Sequence, residues 1–344
     1  MTKRTRLFLV IAAGILVVGL GTGVLASYMG LQNLTIIGGN GPDEFAYVPS
    51  DARVVGYANV RDVMDSEVRR KLMDDFHPGG DPGANGFQEK TGINFETDVD
   101  SVVAAIVPAT GEEGPPLVLA RGRFDLVRIE GFAREEGGMV EEYKGKRLIT
   151  HENFAVGFVE PGLVALGTPV AVRRAIDTKA AGTGNITGNE EVMRLIHEVD
   201  DGTVWGVARF DALPHIPAEV SSKLPAISWF SGKGLVNGGI EGQLRVEARD
   251  DMAAQDLRQV IQGFVALARM QTRENPAVSE FINSLQLTGQ GKTVSLSFAV
   301  PPEMIDALNA LRAGRRPGGL QPAPDAPEAP AAPEAPAPPA PPAI

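Results

Sequence analysis

The 344-residue chain contains no cysteine, which removes disulfides, thiolate metal sites, cysteine nucleophiles and cysteine lipidation together. A domain of this size needs no cross-links to offset chain entropy, so the absence is compatible with an oxidising compartment. Aromatic side chains are only 6% of the residues, with Trp205 and Trp229 the two tryptophans. That scarcity argues against stacking platforms for carbohydrate or nucleic acid. Basic charge is also in deficit: the net charge of −11 predicts no nucleic-acid partner and repulsion from anionic headgroups. Histidine is scarce, and none of His77, His151, His197 and His215 has another at metal-ligand spacing. What the chain has is a 43% hydrophobic content, enough for a sizeable core.

One long apolar run stands at the N-terminus. Lys3, Arg4 and Arg6 precede Leu7 to Ala26, a stretch with no charge. At about 1.5 Å per residue it spans roughly the 30 Å of a bilayer's hydrocarbon core. No Lys or Arg follows until Arg53, so the basic flank predicts a cytoplasmic N-terminus and an extracytoplasmic body, with residues 1–29 as flank and anchor. A signal peptide cleaved after Ala26 is the alternative, and it exports the body equally. Gly19, Gly23 and Ser27 recur every four residues, a spacing that lets transmembrane helices approach closely and would suit a homodimer. The plainer reading is the ordinary small-residue content of an anchor.

Residues 30–50, with Gly38-Gly39-Asn40-Gly41-Pro42, read as a tether. At the other end, 316–344 forms a Pro/Ala-rich tail; 11 of the chain's 26 prolines lie in 317–344. Such composition favours extended polyproline II without a core. It suits an envelope spacer, a ligand for an aromatic groove, or an inert solvated extension.

Between these ends the sequence predicts an α+β fold of two similar halves, 51–180 and 181–315, each an antiparallel sheet with packed helices. Val54, Gly56 and Ala58 match Val204, Gly206 and Ala208 at an offset of 150. Glu67-Val68 and Lys71-Leu72 match Glu219-Val220 and Lys223-Leu224 at an offset of 152. In each half a strand then leads through an aspartate, Asp125 or Asp250, into an amphipathic helix. The first has Leu126, Ile129 and Phe132 on one face; the second has Leu257, Val260, Phe264 and Leu267. Each half closes with a strand entering a proline-initiated helix, at Thr168-Pro169 and at Pro301-Pro302. Hairpin turns are predicted at Lys144-Gly145, Glu160-Pro161-Gly162 and Gly289-Gln290-Gly291.

The opening Val48-Pro49-Ser50-Asp51-Ala52-Arg53-Val54-Val55, followed by Asn59-Val60, Thr91-Gly92-Ile93-Asn94 and Asp98-Val99-Asp100, resembles uncharacterised bacterial membrane-anchored proteins. The resemblance covers roughly residues 1–180. It implies an N-terminal anchor and an exported α+β domain of unknown function, and it carries no catalytic residues.

Motifs that suggest chemistry dissolve on inspection. Gly291-Lys292-Thr293 lacks the earlier glycine of a phosphate loop, since position 286 is Gln, and reads as a hairpin. Gly234 to Gly242 lacks dinucleotide spacing and reads as entry to a strand at Ile240. Asp98 and Asp100 lack the glycine and closing glutamate of a calcium loop. No Gly-x-Ser-x-Gly elbow or Ser-x-x-Lys pair is present. His197 beside Glu198 and Asp200, and His151 beside Glu152, read as solvated ends, and the polar loop 77–86 as a connection. No catalytic, cofactor or metal residues are therefore assigned. The expectation is an anchored extracytoplasmic protein that binds or scaffolds other proteins. The alternative is an exported small-ligand receptor or hydrolase with its pocket between the halves.

Overall fold

The computed structural model describes residues 42–69, 94–108, 116–135, 137–210, 226–237, 239–271, 276–300 and 302–304. The span expected at 7–26 with Gly19, Gly23 and Ser27, the second set of matches at 71–72 and 219–224, the loop 77–86 and the tail lie outside these residues. Among the described residues no helix is long and apolar enough to cross a membrane.

The fold is α+β. Among the described residues twelve strands form one antiparallel sheet: β1 (Val54–Asn59), β2 (Val99–Ile106), β3 (Pro116–Gly122), β4 (Met139–Tyr143), β5 (Lys146–His151), β6 (Phe154–Glu160), β7 (Leu163–Gly167), β8 (Val204–Arg209), β9 (Ile227–Asn237), β10 (Gly239–Ala248), β11 (Gln286–Thr288) and β12 (Thr293–Val300). Their order is β11-β12-β10-β9-β8-β1-β2-β3-β7-β6-β5-β4. The strands of residues 51–180 and those of 181–315 thus share one sheet, joined where β1 pairs β8 with Gly56 opposite Gly206.

Register assigns each face, because residues directly opposite one another point the same way. One line runs Leu148, Gly157, Ala165, Leu119, Val103, Tyr57, Trp205, then Lys233, Gln243 and Ser297. It is apolar as far as Trp205 and polar beyond. Helices α1 (Val60–Asp65) and α2 (Phe95–Asp98) are short, and the apolar stretch carries the largest core, under α4 (Pro169–Ala181) and α5 (Glu190–His197). Thr168 caps α4, accepting from the Ala171 N–H at 3.2 Å, and Pro169 fills the first turn. The opposite face holds Ala58, Val102, Ala120, Val164 and Val204. There α3 (Leu126–Glu135) packs on β5 and β6 through Ile129 and Ile149, and α6 (Asp251–Gln271) on β10 and β12 through Ala254, Leu257 and Val294.

Two expectations are corrected. The tether assigned to 30–50 gives way to folded structure from Asp43 onward: Asp43–Tyr47 forms a 3-10 turn with Phe45, Tyr47 and Val48 at most 1% exposed. Apolar side chains in a glycine-rich stretch are buried by distant partners, which local composition does not report. Gly234, read as entry to a strand at Ile240, lies inside β9, opposite Gly242, and β10 begins at Gly239. The three predicted hairpins form at their positions; Lys144 and Gly145 take φ of 49° and 74°, the left-handed pair a two-residue turn requires.

Gly122 ends β3 where a Cβ would stand 2.1 Å from the Asp98 carbonyl oxygen, a backbone atom that cannot move alone. Gly122→Ala should lower unfolding stability by about 2 kcal/mol, measured by urea titration, through that overpacking.

Candidate functional site

The join between β1 and β8 is the place to look for a pocket, and it is packed with rings. Tyr57 stacks on Trp205 with centroids 5.6 Å apart, and Phe45 meets Trp205 edge-on at 6.0 Å. Burial, then the nearby Glu44 and Asp62 charges, pushes the Tyr57 hydroxyl up to about 12, so it stays protonated at neutral pH.

Beneath the rings the 3-10 turn is locked by charge. Glu44, 3% exposed, forms an ion pair with Arg121 of β3. The Tyr47 hydroxyl donates to Glu160 at 2.9 Å, Lys179 of α4 lies 3.4 Å from the same carboxylate, and its ammonium stands 5.1 Å over the Tyr47 ring. Burial alone would raise the Glu160 pKa, but the Tyr47 hydrogen bond, Lys179 and Arg121 outweigh it and hold it below the usual range. A second buried carboxylate, Glu130 of α3, receives both Nε and Nη2 of Arg147 at 2.8 and 2.7 Å. In these arrangements each carboxylate is engaged structurally, and none of the three stands poised beside a nucleophile.

At the end of the join a shallow cleft of about 240 Å³ is lined by Asp51, Arg53, Asn189, Glu191, Arg209 and Trp229. Arg53 and Arg209 are adjacent, with the Arg209 N–H donating to the Arg53 carbonyl at 2.9 Å. Asp51 is held by Arg174 at 2.7 Å, and Glu191 accepts from the Trp229 indole at 2.9 Å. The volume falls below the roughly 300–1,000 Å³ of ordinary ligand pockets.

The residues singled out from sequence do not converge. His151 ends β5 on the surface, and His197 ends α5 with Nδ1 3.2 Å from Asp200. Asp98 accepts from the Asn94 N–H at 2.8 Å, whereas Asp100 turns away to Arg61 at 2.7 Å. Among the described residues no group of three or more His, Asp or Glu could hold a metal ion. Glu44, Arg121 and Glu130 were missed. Phe45 and Tyr47, two aromatics close together in a chain with few, were the available signal for the first.

No family model matches the chain, and no curated protein does. Among solved structures, crystal forms III, I and IV of TP0453 are similar at TM-scores of 0.47, 0.44 and 0.47, each at 10% identity. Each covers 79% of this chain and, respectively, 100%, 98% and 97% of its own. Superposition this loose carries nothing to individual residues.

The depressed Glu160 pKa gives a signed expectation. Its carboxylate stabilises the fold fully above the ordinary value of 4.5 and loses that contribution as pH falls through the lower folded value. Tyr47→Phe should cost about 1 kcal/mol near neutrality. That deficit should shrink as denaturation is repeated from about pH 6 down to about pH 3.

Proposed function

We propose that this is a membrane-anchored extracytoplasmic protein of the bacterial envelope whose body, a duplicated α+β unit, binds or organises other proteins. The packed join between β1 and β8 carries the preference for binding over turnover: rings fill the place where a pocket between related halves would open. Anchoring rests on the uncharged run Leu7 to Ala26 behind Lys3, Arg4 and Arg6, with a homodimer stripe at Gly19, Gly23 and Ser27 as a further expectation. The resemblance to uncharacterised anchored proteins points the same way.

Duplication is supported by strand order. Outward from the join run β1-β2-β3-β7 on one side and β8-β9-β10-β12 on the other. Helix α3 follows β3 as α6 follows β10, and both cover the same sheet face. The matched residues Val54, Gly56, Ala58 and Val204, Gly206, Ala208 sit on the two strands that meet. These features support units of 51–180 and 181–315.

The second reading, a small-ligand receptor, is favoured by one observation. The seam-end cleft takes residues from both proposed units and two of its walls are Arg53 and Arg209.

Crosslinked full-length chain, solubilised from membranes and affinity-purified, should recover a reproducible protein partner. Recovery of none across several crosslinkers, with a saturable thermal shift from a small carboxylate that Arg53→Ala abolishes, would transfer the function to the cleft. A phosphatase fused to the C-terminus should be active, and inactivity would overturn the orientation.

A further inference from the structure

Helix α6 buries the first part of its apolar face and leaves the flank of that face open further along. Ala253, Ala254 and Leu257 face the sheet and are at most 9% exposed. Val260 and Leu267, which the helical period places with Leu257, instead lie 43% and 48% exposed, and Met270 71%. With Asp256 and Gly263 these residues make a solvent-facing line, 256-260-263-267-270, at the alternating spacings of four and three that two paired helices use. No element among the described residues explains Gly263. A Cβ there would meet nothing within 4 Å, yet a mid-helix glycine costs about 1 kcal/mol against alanine. A close approach from outside the molecule explains it. Beside the line, between α6 and β11, an open groove of about 260 Å³ lined by Val265, Arg269, Leu285, Leu287 and Leu296 continues the apolar surface.

We infer that α6 is a homodimer surface, its occupant α6 of a second copy running antiparallel and crossing at Gly263. Charge selects that direction. Asp256 and Arg269 are both exposed, and neither is held by an ion pair among the described residues. An antiparallel crossing at Gly263 sets Asp256 of each copy beside Met270 and Arg269 of the other, making two symmetric ion pairs. A parallel crossing puts Asp256 against Asp256 and Arg269 against Arg269. Val260 then packs on Ala266 and Leu267 of the second copy, as an isologous two-fold contact requires. A single helix pair is a small interface. Its strength rests on the anchored reading, because confinement to a membrane raises the effective concentration of one copy for another; its geometry does not.

The absence of cysteine makes the test clean. Gly263→Cys in the full-length chain, oxidised in native membranes, should give a disulfide-linked dimer, while Met139→Cys, 72% exposed on the distant edge strand β4, should not. In the Gly263→Cys background, Asp256→Arg or Arg269→Asp should each weaken dimerisation about tenfold, and the two together should restore it. Equal crosslinking at 263 and 139, or none at 263, overturns the inference. Crosslinking indifferent to the charge reversals overturns the antiparallel register. A thiol in the Gly263→Cys variant that is shielded from maleimide only by added phosphatidylcholine vesicles, without a crosslink, overturns it in favour of lipid. Membrane fractionation of the same samples reads the anchor separately, so its failure is told apart from failure of the α6 contact.

Discussion

The described sheet is organised by the antiparallel pairing of β1 with β8 at its centre. Gly56 opposite Gly206 lets the two backbones meet without side chains between them on one face, while Tyr57 and Trp205 stack on the other. A slip of one residue here would turn Trp205 and Val207 away from Tyr57 and Val55 and bring Val204 and Ala208 to their face, mixing the two buried clusters. Because the sheet is continuous, β9, β10 and β12 would carry the same mismatch. The aromatic stack therefore fixes both the register and which faces the helices can cover.

The same constraint explains the character of the candidate site. Packed rings close the middle of the join, and the cleft at its end is shallow, with its acids engaged. Buried carboxylates elsewhere, Glu44 and Glu130, are each matched to an arginine and hold elements to the sheet. The polar half of the covered face, from Lys233 to Ser297, shows what the chain spends on solvation: beyond Trp205 register still points side chains to that face, but they are Lys, Gln and Ser.

Much of this was legible in the sequence. The matches at an offset of 150 marked β1 and β8, and Asp250, Thr168 and Pro169 marked helix starts that the structure caps as read, the Ala253 N–H donating to Asp250 at 2.8 Å. The turn at Lys144-Gly145 followed from glycine chemistry. Local signals did not report long-range pairing. Nothing near Asp43 announces that Glu44 meets Arg121, 77 residues away, and glycine-rich β9 hides a strand behind turn-like composition. The candidate site was least legible, because Arg53 and Arg209 approach only through the strand pairing itself. The apolar period of α6 was legible and the exposure of its second half was not: Val260 and Leu267 obey the helical spacing while facing water.

Placing β1 at the centre of the sheet has a kinetic side. Its partner β2 begins 40 residues after it ends, but β8 arrives only after roughly 150 residues of further chain. During synthesis the strands β1 to β7 can assemble among themselves while the outer edge of β1 carries unpaired N–H and C=O groups beside Val55 and Tyr57. Such an edge is a template for any passing strand. Pairings of this sequence separation also form slowly, since loop closure must precede the contact that rewards it. The strand that organises the finished sheet thus keeps one edge open until β8 emerges, and the risk of mispairing is greatest in that interval.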